Sequence, residues 1–372
     1  MSLKILHFAD LHLGRGFSDY GNASEELSEA RYKTLDNLIE TANKKSCNAV
    51  VIAGDLFDRT SMNKKDVVRA VQSLNKFEKG PVLLLPGNHD FITSDSKLWK
   101  YVADAKEDHI IILGNTEPHD LSEYDINGII YPAPCKSKHS AENQITWVKD
   151  VEKEKSKIHI GIAHGSVTGV APDFNDEHFP MTKQELQNAK VDLWLLGHIH
   201  VPWPNNPGGN DSILYSGTPE PDTANCPHEG TALLIEIKED KSVSIDKLST
   251  GIYRFERWSE EISSIEDLEK LADNADSDRN SNCVCRLTLS GVLDPEDYER
   301  WVENIFPKLQ ESFLYLRINE DDLRKRITKE QLYETYPEDS FPIQLLSGFI
   351  DDNDHEALQT AYNLLEEVKD EN

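Results

Sequence analysis

Five short motifs in this chain supply the residue types that hold divalent cations. Asp10 and His12 alternate in FADLH, Asp55 lies in GDLFD, and Asn88, His89 and Asp90 follow one another in PGNHD. His164 opens HGS, and His198 and His200 alternate in GHIH. Carboxylate and amide oxygens suit hard cations, and imidazole suits manganese, iron and zinc. Two such ions about 3.5–4 Å apart, sharing a bridging carboxylate, can clamp a phosphate ester through in-line displacement. A lone D-x-H, GD or HG says little, and a single loop histidine is more often a surface or core residue. The ordered conjunction D-x-H, GD, GNHD, HG, GH-x-H carries the inference.

Those residues need elements that bring them to one place. Short apolar runs at 3–9, 49–53, 81–85, 110–113, 128–131, 158–163 and 191–196 read as strands. Helical spacing at 31–45 puts Leu35, Leu38 and Ile39 on one face, and 65–77 is a second helix. Several runs are continuously apolar, as in strands buried on both faces. Runs at 212–216, 231–237 and 243–248 follow without helices between them. A layered α/β arrangement with two packed sheets is expected. The five motifs each follow the end of an apolar run, so they fall along one edge of the sheets, where open α/β folds bind ligands. Alternation within D-x-H and H-x-H lets both side chains point the same way.

The 372 residues suggest more than one domain. The expected division is a catalytic domain over 1–250, a small α+β capping domain over 251–340, and helices over 341–372 as a partner-docking element. In the cap, 283–289 and 313–318 read as strands around a helix at 295–309. Leu345, Leu346, Phe349 and Ile350 form one stripe; Leu358, Ala361, Leu364 and Leu365 form another. Both stripes are expected to pack on their own domain before any partner. No run reaches the roughly 18 apolar residues of a membrane helix, and the N-terminus reads as a first strand. Five scattered cysteines lack a C-x-x-C pair, which argues against a disulfide framework or zinc ribbon and for a reducing cytoplasm.

The net charge is −28, with 67 acidic against 39 basic residues. From residue 251 on there are 30 acidic and 13 basic residues, a net of −17, which leaves −11 for 1–250. Such a surface repels a polyanion, so a nucleic-acid substrate would need help from metals or a basic partner. The simpler role of the charge is solubility or salt adaptation.

The five motifs resemble those of the calcineurin-like metallophosphoesterase superfamily, over residues 3 to about 240. The opening KILHFADLHLGRGF, the form GDLFDR and the segment LGHIHVPW make the chain similar to the SbcD/Mre-type DNA-repair exonucleases, YhaO-like homologues included. The resemblance implies a four-layer sandwich, two mixed sheets flanked by helices, and two divalent ions, manganese before iron or zinc. It places Asp10, His12, Asp55 and His200 on one ion and Asp55, Asn88, His164 and His198 on the other, with Asp55 bridging. It makes His89 the catalytic proton donor or phosphate contact, Asp90 its hydrogen-bonded orienter, and water the direct nucleophile. A DNA substrate, an SMC/Rad-like coiled-coil ATPase subunit and a homodimer are the implied partners, with no membrane.

Arg15, three residues beyond a ligand, is a candidate for phosphate or DNA contact, or else a surface residue in an ion pair. His7 and His159 lie inside strands and are expected in the core or behind a ligand. His109, His119, His139, His178, His228 and His355 carry no motif, and Phe17, Phe57, Phe91 and Trp203 are expected to pack loops. The segment SGTPEPDTANCPHEG departs from the family pattern, and the C-terminal region is short and acidic. A phosphatase or cyclic-nucleotide phosphodiesterase of the same superfamily is the alternative, because the motifs are common to these branches. A non-catalytic, metal-stabilised interaction subunit is the third reading, which the complete motif set disfavours.

Overall fold

The computed structural model of the chain describes residues 2–170, 177–275, 280–352 and 354–370. The chain divides into two compact units, 1–256 with 282–284, and 257–281 with 285–372.

The first unit is built on two sheets. In one, the parallel strands β1 (Leu3–Phe8), β2 (Ala49–Ala53), β3 (Val82–Leu85) and β4 (Ile110–Ile112) lie side by side. A hairpin adds to the free edge of β1, so that β10 (Thr231–Ile237) is antiparallel to β1 and β11 (Val243–Ser249) to β10. The other sheet has the order β5 (His119–Asp120), β6 (Gly128–Ala133), β7 (Ile158–His164), β8 (Leu193–Gly197) and β9 (Ile213–Tyr215), parallel from β6 onward.

Period-2 alternation sorts the side chains into layers. Ile5, Val51, Leu83 and Ile235 from the first sheet meet Ile160, Ile162, Leu195 and Leu214 from the second in an inter-sheet core. The opposite face of the first sheet, with Leu6, Phe8, Val50, Ile52 and Leu84, packs on α1 (Ser24–Lys44), α2 (Lys64–Leu74) and α3 (Lys97–Ala105). Outside the second sheet, Tyr131, Ala163, Trp194 and Leu196 pack against Val148 and against Leu186 of α4 (Lys183–Asn188). Helix, sheet, sheet and a thinner helical layer make the four-layer α/β sandwich. Asn63, Ser96 and Thr182 each accept a backbone N–H at the start of α2, α3 and α4, which fixes where those helices begin. Helix α1 starts seven residues before the expected 31; its first turn holds Glu25 and Glu26, which favour a helix N-terminus without adding apolar period.

The second unit carries most of a three-stranded sheet of β12 (Arg254–Ile262), β13 (Cys283–Leu293) and β14 (Tyr315–Lys325). Helix α5 (Ile265–Asn274) buries Ile265, Leu268 and Leu271. The expected single helix after β13 is two, α6 (Pro295–Arg300) and α7 (Phe306–Glu311), around a π-helical turn at Trp301–Ile305. Leu332 of α8 (Lys329–Thr335), Ile343 and Leu346 of α9 (Phe341–Asp351), and Leu358 of α10 (His355–Asp370) form a small core. Phe349, Ile350, Ala361 and Leu365 pack around it, while Phe341 and Leu364 are exposed. The side chain of His355 lies outside the described residues. Among the described residues no helix is long and apolar enough to cross a membrane, and no disulfide joins the five buried cysteines.

Candidate metal centre

The ends of β1, β2, β3, β7 and β8 deliver the motif residues to one point. The first two loops are zipped together, Asp10 N–H donating to Gly54 O, His12 N–H to Asp55 O and Leu13 N–H to Leu56 O at 2.8–3.1 Å. The backbone is left-handed at Asp10, His12, Asp55 and His198, with φ of 59°, 48°, 51° and 97°. Non-glycine residues adopt that region at a cost, and four of the nine that do so among the described residues are candidate ligands. Gly54, at φ 94°, has His164 Nδ1 only 2.2 Å from where a Cβ would stand. Gly87 has Asp55 Oδ1 at the same 2.2 Å, so the PGNHD loop closes on Asp55 only with glycine there.

Asp55 is the hub. Its Oδ2 lies 3.3 Å from His164 Nε2 and 3.6 Å from His12 Nε2, and its Oδ1 accepts the backbone N–H of His89 at 2.8 Å. On one side, His12 Nε2 and His200 Nε2 stand 3.2 Å apart, with Asp10 close enough to share an ion with both. On the other, Asn88 Oδ1 lies 2.9 Å from His164 Nε2 and 3.1 Å from His198 Nδ1. Asp10 also joins Asp55 and His164 in a compact donor group, and its carboxylate accepts the His198 N–H at 3.0 Å. The seven expected ligands are therefore together, and a carboxylate stands between their two halves.

The donor chemistry fits divalent cations. Burial pushes His12 down to about 4 and His198 down to about 3, keeping both rings neutral, the form that binds metal. Burial raises Asp10 to about 6 and Asp90 to about 7. Asp55 is different: burial would raise it, yet the neighbouring histidines, His164 first, hold it well below the carboxylate range. Burial likewise opposes charge on His164, but the Asp55 carboxylate outweighs it and lifts that ring to about 9. The Asp55 carboxylate thus favours positive charge beside it, which a divalent cation would supply.

Three of the four rings have a polar group behind the nitrogen that faces away from the centre. His164 Nδ1–H donates to Ala53 O at 2.8 Å. His12 Nδ1 is 3.5 Å from Asp58 Oδ1, and His200 Nδ1 is 3.4 Å from Asp222 Oδ2. Such partners favour the tautomer that would leave Nε2 of these three rings free to hold a cation. His89 is half-buried and packs edge-on against His12, ring centroids 4.7 Å apart. Its Nδ1 bonds to the Asp58 main-chain carbonyl at 3.0 Å, which leaves Nε2 as the nitrogen available for chemistry.

One expected role is corrected. Asp90 does not orient His89: its carboxylate accepts Gly87 N–H at 2.7 Å and Phe57 N–H at 3.1 Å, pinning the PGNHD loop to the GDLFD loop. Two amide donors inside the loops claim both oxygens, and the Asp58 carbonyl takes the place expected for Asp90. Arg15 is in an ion pair with Asp222 at 3.0 Å, with 30 % of its side chain exposed. His7 is fully buried on β1 and pushed down to about 4 by burial, while His159 bonds Tyr131 Oη and Glu154 O, so both are core residues. Phe17 and Phe57 are buried in the loops they stiffen.

Residues not expected to serve the site also converge. Asp58, the last residue of GDLFD, serves two histidines. Arg31 is fully buried, donates to the carbonyls of Leu11, Glu220 and Pro221, and lies 5.4 Å over the Phe17 ring, so helix α1 braces the first ligand loop. His178 packs 4.9 Å from the His198 ring. A buried arginine at helical spacing was the one available signal; the others needed the fold.

The family model described as calcineurin-like phosphoesterase matches residues 3–202. The chain is 25 % identical to "Uncharacterized metallophosphoesterase YhaO" of Bacillus subtilis (strain 168) over 207 residues, 53 % of this chain and 48 % of that protein, so it spans about half the length of that relative. Among solved structures it is similar to the protein TT1561 of Thermus thermophilus, at 10 % identity and TM-score 0.39 over 66 % of this chain and 99 % of that one. A dimetal phosphatase from Danio rerio aligns at 12 % identity and TM-score 0.35, over 67 % and 99 %. With more than half of its length matched by the family model and the motif residues gathered at one centre, the chain belongs to the calcineurin-like phosphoesterases.

Proposed function

We propose that this protein is a two-metal phosphodiesterase, and that the diester is DNA, cleaved in the manner of the SbcD-type nucleases together with an SMC-like ATPase and as a homodimer. The single observation that carries the phosphoesterase chemistry is Asp55, whose one carboxylate stands between His12 and His200 on one side and His164, Asn88 and His198 on the other. Asp10, His12, Asp55 and His200 would hold one divalent ion, and Asp55, Asn88, His164 and His198 the second. The ions, manganese in this reading, would activate water and neutralise phosphoryl charge.

The chain's own residues do the rest. With Nδ1–H held by the Asp58 carbonyl, His89 has Nε2 free to hand a proton to the leaving oxygen. Asp90 keeps its loop closed through two backbone donors. Arg15 sits at the rim, where its guanidinium can meet a substrate phosphate. The choice of DNA rests on the sequence resemblance (KILHFADLHLGRGF, GDLFDR and LGHIHVPW) and on the additional unit, in which exposed Phe341 and Leu364 offer apolar anchors to a partner. The net charge of −28 favours a second reading, a phosphatase or small-diester phosphodiesterase.

Purified protein with manganese, incubated with labelled duplex and single-stranded DNA, bis-p-nitrophenyl phosphate and p-nitrophenyl phosphate, separates the two. Cleavage of DNA and of the small diester, lost on chelation, is expected. Hydrolysis of the small esters with intact DNA, both with and without the ATPase, overturns the nuclease reading.

A further inference from the structure

The loop between β9 and β10 lies beyond the residues that the family model matches, yet it touches the candidate metal centre at several points. Thr218 N–H donates to His200 O at 3.0 Å, and Thr218 Oγ1 lies 2.8 Å from Asp10 O. Asp222 is 6 % exposed and brings Oδ2 to 3.4 Å from His200 Nδ1. His228 approaches the same residue from the main chain: its Nδ1 accepts Gly230 N–H at 3.1 Å, so the ring proton must sit on Nε2, which donates to His200 O at 2.6 Å. Both lone pairs of the His200 carbonyl are then used, one by Thr218 and one by His228. Cys226 Sγ packs 3.3 Å from His228 Nε2.

His200 needs this help. Its side chain is 31 % exposed, the backbone two residues earlier is left-handed, and an exposed imidazole on such a loop has several rotamers and two tautomers. An acceptor behind Nδ1 selects the tautomer whose Nε2 lone pair faces His12 and Asp10. A donor on the carbonyl fixes the plane from which the ring projects.

We infer that Asp222 and His228 are positioning residues for His200, Asp222 setting its tautomer and His228 its main-chain anchor, so that this loop tunes the affinity of the ion held by Asp10, His12, Asp55 and His200. The inference rests on the two-metal reading above.

The test is a metal titration of the full-length apoprotein with Mn2+ by calorimetry and with Co2+ by visible absorption, neither of which depends on turnover. Wild type is expected to take up two equivalents. Asp222→Asn, which keeps the volume and loses the charge, should weaken one equivalent by about 10–100-fold, leave the other unchanged, and alter the Co2+ spectrum. His228→Ala should weaken the same equivalent, and His228→Gln, whose amide can still donate to His200 O, should restore most of it. Circular dichroism and thermal unfolding establish that each variant is folded; if His228→Ala does not fold, His228→Gln and Asp222→Asn carry the test. Two equivalents in wild type with both affinities within twofold in Asp222→Asn and His228→Ala overturns the positioning role and leaves the metal reading standing. No uptake by wild type overturns the two-metal reading itself and this inference with it.

Discussion

On one side of the centre, His164 is buried and its Nδ1 donates to the main-chain carbonyl of Ala53. On the other, His200 keeps 31 % of its side chain exposed and relies on the Asp222 carboxylate and the His228 ring. The first support belongs to the sheet: Ala53 ends β2, His164 ends β7, and the inter-sheet core holds the two strands in register. The second is made of side chains on a loop between β9 and β10. A ligand fixed by backbone can be lost only with the fold, whereas one fixed by side chains can be loosened one substitution at a time. The two halves of the site therefore differ in how each can fail.

The residue common to both halves gives the largest expected effect. Asp55→Ala removes the carboxylate that reaches both His164 and His12, so both ions should be lost and diester hydrolysis should fall to background. Retention of one tightly bound ion in that variant, read by metal analysis after dialysis, would show that the halves are independent. The sharper break of the comparison is the pair His164→Ala and His200→Ala. Each should cost one ion. Only His164→Ala should also lower unfolding free energy, by about 1–3 kcal/mol, because it leaves the buried Ala53 carbonyl without its donor. Equal stability losses in urea or thermal unfolding would erase the distinction.

His89 lies outside both halves as a ligand but packs on His12. In His89→Ala, kcat for DNA, whose alkoxide leaving group needs the proton, should fall by roughly 10²–10⁴-fold with both ions retained, the range for a lost proton donor. Loss of an ion instead would make His89 part of the His12 side of the centre.

Much of this is legible in the sequence because the motif residues sit at strand ends, and strand ends can be read from apolar runs. Asp10, His12, Asp55, Asn88, His164, His198 and His200 can be named, and their convergence expected, before any coordinates. What supports them cannot. Asp58 and Asp222 are ordinary acidic residues in a chain with 67 of them, and His228 lies beyond the residues that the family model matches. Asp222 and His228 reach His200 across 22 and 28 residues, and Asp58 reaches His12 across 46, a relation with no period in sequence. Asp90 shows the converse error. The family resemblance implies a hydrogen bond from Asp90 to His89, but the carboxylate turns inward to two amides. The same limit applies to the helices: α5, with its Ser264 and Asp267 capping box, has no counterpart among the expected elements, and α1 runs longer than its apolar period.

The smallest expected effect lies at the rim of the looser half. Arg15 is in an ion pair with Asp222 at 3.0 Å, its guanidinium on the solvent side of a buried carboxylate. Asp222 keeps its contact with His200 without Arg15, so Arg15→Gln should leave both metal affinities within twofold. If the guanidinium also meets a substrate phosphate, KM for DNA should rise by no more than about fivefold, and the salt dependence of DNA binding should flatten by roughly one unit of slope. The small diester, which spans a single phosphate at the ions, should be almost unaffected. A fall in metal affinity on this substitution would instead extend the side-chain scaffold of His200 outward by one residue, with Arg15 holding Asp222 in place, and the contrast with the backbone-held His164 would widen.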